Sequence, residues 1–321
     1  MIVVTGALGF IGSALLGELQ QRGYGELVAV DNFGDTRKFS NLNGKNLHSK
    51  IDRSEFLNWL EINGEKVQFI FHIGARTRTN EFDWNVLNEL NVNYSKSVWN
   101  LCTKHSIPLV YASSAATYGN GDQGFSDDPS MLLSLKPMNP YGESKQIFDI
   151  WTLNQTETPP FWAGFKFFNV FGPNEYHKGR MASVVFHAYN QIQKEGQVSL
   201  FKSYKPEYPD GAQKRDFVYV KDVINVLIFE METRKNSGLF NLGSGQSHTF
   251  LELANAVYEA LGIHPKISYI EMPEDIRDNY QYFTEADESR LIQSGYHLGF
   301  TDFKIAVSDY VQNYLETNTY M

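Results

Sequence analysis

Short unbroken apolar runs alternate along the first half of the chain with stretches whose apolar residues recur every three or four positions. The runs are Ile2–Thr5, Leu27–Val30, Phe69–Ala75 and Leu109–Ser114. Strands covered on both faces are written in this way. Ile11, Leu15 and Leu19 keep helical spacing, and Gly23 follows as a stop. Leu87, Leu90, Tyr94, Val98 and Leu101 mark a helix with one apolar face. Gly119 to Pro137 is polar and irregular and reads as a loop, after which a helix opens at Tyr141. Strands alternating with helices predict an α/β fold on a parallel sheet.

The second half is less regular. Phe165–Pro173 reads as a strand that turns sharply at Gly172-Pro173. Phe217–Val220 returns to a strand pattern, and Asp222 stands as a candidate cap for a helix carrying Val223, Val226 and Leu227. Phe240–Leu242 is a further strand, Thr249 a cap for a helix over 250–261, and 305–315 a closing helix. There is no internal repeat. The expected division is a dinucleotide-binding unit over 1–169, with later returns near 216–243, and a mainly substrate-binding lobe over 170–321.

Chemistry enters at the end of the first run. Gly6, Gly9 and Gly12 follow it directly and open the first helix. Strand, glycine turn and helix are what a dinucleotide motif needs: glycines let the backbone approach a pyrophosphate, and the helix N-terminus favours its charge. Asp31 ends the second run, roughly 20 residues past the glycines, where an acid meets the adenosine ribose. That favours NAD, whereas Arg37, Lys38 and Arg53 beyond it suit the 2′-phosphate of NADP, so the two cofactors stay open on chemical grounds. Ser113 and Ser114 put hydroxyls at the carboxyl edge of the sheet, where open α/β folds bind ligands. Tyr141 and Lys145 are one helical turn apart on one face. An ammonium near a phenol favours the phenolate, which would let Tyr141 exchange a proton near neutral pH.

Composition narrows the classes. The 28 Lys+Arg against 37 Asp+Glu leave a net charge of −9, which argues against nucleic-acid binding through a basic surface. A single cysteine, Cys102, excludes an internal disulfide framework and a Cys-rich metal site. No apolar run approaches the ~20 residues that span a bilayer, and the N-terminus has no basic region before its first strand. The expected setting is the cytosol, with no membrane partner.

Local basic sites remain. His177-Lys178-Gly179-Arg180-Met181-Ala182-Ser183 sets two cations around a glycine before a helix. Lys178 and Arg180 are either an anion site at the helix start, or Lys178 is an acid/base group with its pKa lowered by burial, or the run is a solvated loop. Phe201–Lys205 and Lys214-Arg215 place cations among aromatic rings, which suits a nucleotide diphosphate. Residues 279–283 mix aromatic and polar side chains and either line a pocket or pack the lobe interface.

The order of the three spaced glycines, Ser-Ser-Ala-Ala-Thr-Tyr-Gly over 113–119, and Tyr141-x-x-x-Lys145 resembles the extended short-chain dehydrogenase/reductases. That resemblance implies a Rossmann-type doubly wound parallel sheet with a smaller α/β substrate lobe, and a catalytic set of Ser114, Tyr141 and Lys145. The runs 168–184, Lys-Arg-Asp-Phe-Val-Tyr-Val over 214–220 and Tyr-Gln-Tyr-Phe-Thr-Glu-Ala-Asp over 280–287 are similar to the ADP-L-glycero-D-manno-heptose 6-epimerase branch of that family.

The branch implies inversion at carbon 6 of ADP-heptose, for lipopolysaccharide, with a bound NADP. Tyr141 and Lys178 would be the acid/base pair, Ser114 would hydrogen-bond the reacting oxygen, and Lys145 would hold the nicotinamide ribose and lower the tyrosine pKa. Gly6, Gly9, Phe10, Ile11, Gly12, Asp31, Asn32, Lys38, Arg53, Ile73, Gly74, Ala75, Arg76, Thr77, Asn91, Lys145, Val170 and Lys178 match the family's cofactor contacts. Ser114, Asn169, Arg180, His187, Phe201, Lys202, Ser203, Tyr204, Arg215 and Tyr280 match its substrate contacts. A homo-oligomer, a pentamer, is implied as well. Ala7, Arg76, Arg78 and Arg180 depart from the residues common at those positions. Other readings are an epimerase for another nucleotide sugar, such as one acting at carbon 4, and a non-catalytic NAD(P)-binding protein. A dehydratase needs an acidic pair beside the serine, where Ala115, Ala116 and Thr117 stand instead.

Overall fold

The computed structural model describes residues 1–79, 81–277 and 280–321; Asn279, at the edge of the aromatic run above, lies outside them. The strands are β1 (Ile2–Thr5), β2 (Leu27–Asp31), β3 (Ser49–Asp52), β4 (Phe69–His72), β5 (Leu109–Ser114), β6 (Trp162–Phe167), β7 (Asn169–Phe171), β8 (Val198–Phe201), β9 (Lys214–Tyr219), β10 (Gly238–Leu242), β11 (Ser247–Thr249) and β12 (Ile267–Ile270). The helices used below are α1 (Phe10–Gln21), α2 (Arg53–Asn63), α3 (Trp84–Leu87), α4 (Tyr94–Lys104), α5 (Pro140–Leu153), α6 (Val184–Glu195), α7 (Val220–Thr233) and α8 (Phe250–Leu261).

Among the described residues, seven strands form one parallel sheet in the order β10-β6-β5-β4-β1-β2-β3. The expected doubly wound α/β sheet is therefore present. Its strands carry Val, Ile, Leu and Phe almost without interruption because helices cover both faces and leave no solvated side. The order reverses beside β1, between β2 on one side and β4 on the other. Register aligns Thr5 with Val30 and with His72, and Ser114 with Phe167. The carboxyl ends of these strands thus form one edge, with a crevice at the switch point.

Past Phe167 the chain leaves this sheet and rejoins it once, at β10. A three-stranded sheet, β11-β9-β7, and a parallel pair, β12-β8, build the smaller α/β lobe. Thr249 caps α8 in a reciprocal pair with Glu252. Asp222 does not cap α7, which starts after Tyr219 and holds Asp222 in its first turn. Its carboxylate instead accepts from the backbone N–H and hydroxyl of Thr301, at 2.9 and 2.8 Å, tying α7 to the C-terminal segment. None of the described helices is long and apolar enough to cross a membrane.

Candidate active site

The crevice is a cleft of about 580 Å³ lined from both lobes. At its floor the chain turns from β1 into α1. Gly6 has φ +68°, and a Cβ there would lie 2.7 Å from Gly74 Cα. A Cβ on Gly12 would lie 2.3 Å from the Gly6 carbonyl oxygen. Backbone packed this closely, with the first N–H groups of α1 left free by the absence of a side-chain cap at Gly9, suits a pyrophosphate. Ala7 is buried and leaves the turn intact.

Asp31 lines the cleft, and each carboxylate oxygen already takes one backbone N–H: Leu8 at 2.9 Å and Asn32 at 2.7 Å. Its fixed orientation leaves lone pairs for ribose hydroxyls. Lys38 and Arg53 also line the cleft and, among the described residues, have no carboxylate within 4.0 Å. Arg37 does not line it; Asp35 holds its guanidinium at 2.7 and 2.8 Å.

The opposite wall is Ile73, Gly74, Ala75, Arg76 and Thr77. Asn91 does not reach the cleft. It is buried behind this wall, accepting from Arg76 N–H at 2.7 Å and donating to the Arg76 carbonyl and the Ser144 hydroxyl at 3.0 Å each. A second support escapes pattern reading. The Thr5 hydroxyl accepts from Gly74 N–H at 3.0 Å and bonds His72 Nδ1 at 2.8 Å, while His72 Nε2 meets Ser95 at 3.0 Å. Burial, with the Lys145 charge adding to it, pushes His72 down to about 3, so it stays neutral. Nothing local in the sequence signals partners 67 residues apart.

The reacting end is set by β5 and α5. Asn139 caps α5, accepting from Gly142 N–H at 2.8 Å, and Pro140 occupies its first turn. Gly142 lets α5 press against the turn after Ser114: a Cβ there would lie 2.7 Å from the Ala116 carbonyl oxygen. Ser114, Tyr141 and Lys145 consequently line the cleft together. Lys145 Nζ donates to the Ala112 carbonyl at 2.8 Å. Burial pushes Tyr141 above its ordinary value, with the Ser114 hydroxyl pulling it back and the Asp149 carboxylate adding to the rise. The expected lowering of Tyr141 by Lys145 is not present, because the Lys145 ammonium is turned to the Ala112 carbonyl while burial raises the phenol. Burial also pulls Lys145 down to about 8.

From the other side, the loop before α6 brings Lys178 over the Phe10 ring, 5.1 Å from its centroid. Burial lowers the Lys178 pKa, and Glu175 opposes that. Asn169 and Val170 line the same cleft. Arg180 is exposed and outside it, so the paired anion site of Lys178 and Arg180 does not form. His187 likewise lies outside the cleft.

The remaining predicted contacts gather next door. The Arg215 guanidinium sits between the Phe250 and Tyr280 rings, at 5.6 and 5.3 Å, and bonds the Lys214 carbonyl at 2.8 Å and the Gln281 carbonyl. Phe201 meets Tyr280 edge-on, and Arg277 lies 3.9 Å over Tyr204. Phe250 lines the main cleft, so this cluster continues it. Ser203 accepts from Lys205 N–H at the cluster's rim. Lys202 is less available than expected, since Glu271 holds its ammonium at 2.6 Å.

A single cleft thus presents a glycine turn for a dinucleotide beside a Ser, Tyr and Lys set. The sequence model for the NAD dependent epimerase/dehydratase family matches residues 2–243. The chain belongs to that family. It is 43% identical, over 98% of both chains, to the ADP-L-glycero-D-manno-heptose-6-epimerase of Fusobacterium nucleatum subsp. nucleatum. The crystal structure of the Helicobacter pylori ADP-L-glycero-D-manno-heptose-6-epimerase superposes with a TM-score of 0.81 at 26% identity, covering 97% of this chain and 95% of that one. The Thermus thermophilus UDP-glucose 4-epimerase, solved in complex with NAD, gives 0.76 at 25% identity and 97% coverage of both. Family membership brings a nicotinamide cofactor, and the glycine turn, Asp31 and the Gly74 wall fit one.

Proposed function

We propose that the chain inverts carbon 6 of ADP-D-glycero-D-manno-heptose to give ADP-L-glycero-D-manno-heptose, the heptose donor for the lipopolysaccharide inner core, with NADP bound. The observation that carries the inversion is that Tyr141 and Lys178, two protonatable groups from different lobes, line one cleft. The near-full-length identity with the Fusobacterium enzyme supports the choice of substrate.

A bound nicotinamide would supply the hydride acceptor for carbon 6 and the hydride donor for the opposite face of the resulting ketone. The protein moves the proton that accompanies each transfer. One of Tyr141 and Lys178 accepts the carbon-6 hydroxyl proton, and the other donates one to the ketone oxygen after the carbonyl has turned. Burial lowers the Lys178 ammonium pKa toward the range where proton exchange is efficient, and it raises the Tyr141 phenol, which keeps that group protonated as a donor. The Ser114 hydroxyl hydrogen-bonds the reacting oxygen. Lys145 holds the nicotinamide ribose, and Lys38 with Arg53 accept the 2′-phosphate. Asn169 and the Arg215 cluster hold the sugar nucleotide, with the Phe201 and Tyr280 rings against the base. In this division, residues 1–169 with the return at β10 carry the cofactor and 170–321 mainly the substrate. We take the enzyme to act in the cytosol as a homo-oligomer.

Incubation with ADP-D-glycero-D-manno-heptose and separation of the two epimers tests the reading. Conversion is expected, and Tyr141→Phe combined with Lys178→Met should abolish it while cofactor stays bound. No conversion by the cofactor-loaded protein, with turnover of another sugar nucleotide, would replace the substrate. Full activity in the double variant would remove the acid/base pair.

A further inference from the structure

Lys178 stands on a short 3-10 turn, Tyr176–Met181, with no longer helix or strand to hold it straight. Gly179, next to it, has φ +54° and ψ −128° and breaks the turn over Tyr176–Met181. Such a loop positions an acid/base group only if something beneath it fixes both ends, since small misplacements are costly to catalysis.

Glu175 lies directly beneath and is fully buried. One carboxylate oxygen accepts from Ser183 N–H at 2.5 Å; the other accepts from the Ser183 hydroxyl at 2.6 Å and from Gly172 N–H at 3.3 Å. Gly172 precedes the loop and Ser183 ends it as the cap of α6. The Ser183 oxygen also accepts from Phe186 N–H at 3.2 Å, which directs its own proton to Glu175. Every one of these contacts donates to the carboxyl group, the pattern of an acceptor-only carboxylate; burial raises its pKa, and the Lys178 charge with the Ser183 and Gly172 donors opposes that rise. The backbone joins in, with Lys178 N–H donating to the Glu175 carbonyl at 2.9 Å.

Resting on the acid/base role proposed for Lys178, we infer that Glu175 is its positioning residue: one buried carboxylate clamps both ends of the loop and acts on the lysine ammonium through its charge, without a direct ion pair. The other titratable groups near the pair are His177 and Tyr176 on the same loop and Tyr310 from the C-terminal helix. His177 is pushed down to about 4 by burial, and Tyr176 and Tyr310 are raised by burial, so none of the three carries charge at neutral pH. Glu175 is left as the charge that keeps the Lys178 ammonium from falling further.

The test is the pH profile of kcat for the cofactor-loaded enzyme. Glu175→Gln keeps an acceptor for Ser183 and removes the charge, so the limb belonging to Lys178 should move to lower pH by roughly one unit, the lower end of what an opposite charge does. A folded Glu175→Gln enzyme with that limb at the wild-type pH overturns the inference. If the Gln variant does not fold, Glu175→Asp decides. It keeps the charge but shortens the clamp, so the limb should stay in place while kcat falls on the order of tenfold to a hundredfold. A displaced limb, or wild-type kcat, in the Asp variant overturns it. Lys178→Met separates the two readings. If it removes the limb and Glu175→Gln leaves that limb where it was, only the role of Glu175 fails. If Lys178→Met keeps both activity and limb, the acid/base role of Lys178 fails, and the role of Glu175 with it.

Discussion

Lys145 reaches past Tyr141 and donates to the Ala112 carbonyl on β5, 2.8 Å away. Of the side chains that act on the phenol, the Ser114 hydroxyl lowers its pKa and the Asp149 carboxylate raises it, while Lys145 is not among them. In the cofactor-free protein, Ser114→Ala should therefore raise the Tyr141 pKa further, and Lys145→Met should leave it in place. Labelling tyrosine Cζ with ¹³C, with Tyr141→Phe to assign the signal, reads both. On the ribose-holding role proposed for it, Lys145→Met should still lower kcat, by about a hundredfold or more.

His72 predicts an acid sensitivity that belongs to the cofactor wall. Burial pushes its folded pKa down to about 3, from the 6.5 of an unburied imidazole. A depressed pKa contributes stability that is present above the unfolded value and is lost as pH falls toward the folded one. Between pH 6.5 and 5 the loss is about 2 kcal/mol, at 1.36 kcal/mol per unit. Urea melts at pH 7.5 and 5.0 should show it for the wild type and not for His72→Asn. An equal loss in both proteins would place the acid sensitivity elsewhere.

Lys38 and Arg53 line the cleft without an acidic partner among the described residues, whereas Arg37 is taken by Asp35. Replacing Lys38 and Arg53 by Ala should weaken NADP binding by about tenfold or more per residue, as charged hydrogen bonds of roughly 1.5–3 kcal/mol are lost. Binding of NAD should change little. Calorimetric titration with each cofactor, and the mass of the cofactor that copurifies, measure this. Equal losses for both would move the discrimination away from this pair.

The apolar runs and their helical intervals sufficed to place β1, β2, β4, β5, α1 and α8, because strand burial and helix amphipathicity are local properties with their own periods. The same holds for the glycine turn, where the need for close backbone approach is written in residue type. Local pattern misread Asp222, whose partner Thr301 is 79 residues away, and it could not place Arg180 relative to the cleft. Lys202 was legible as a cation but not as one neutralised by Glu271.

Sequence by itself determined the parallel sheet and the dinucleotide turn, and it singled out Ser114, Tyr141, Lys145 and Lys178 as candidates. Only the tertiary structure decided how those groups are tuned. Burial is a sum over neighbours from distant segments, and it is the main cause that raises Tyr141 and holds His72 neutral.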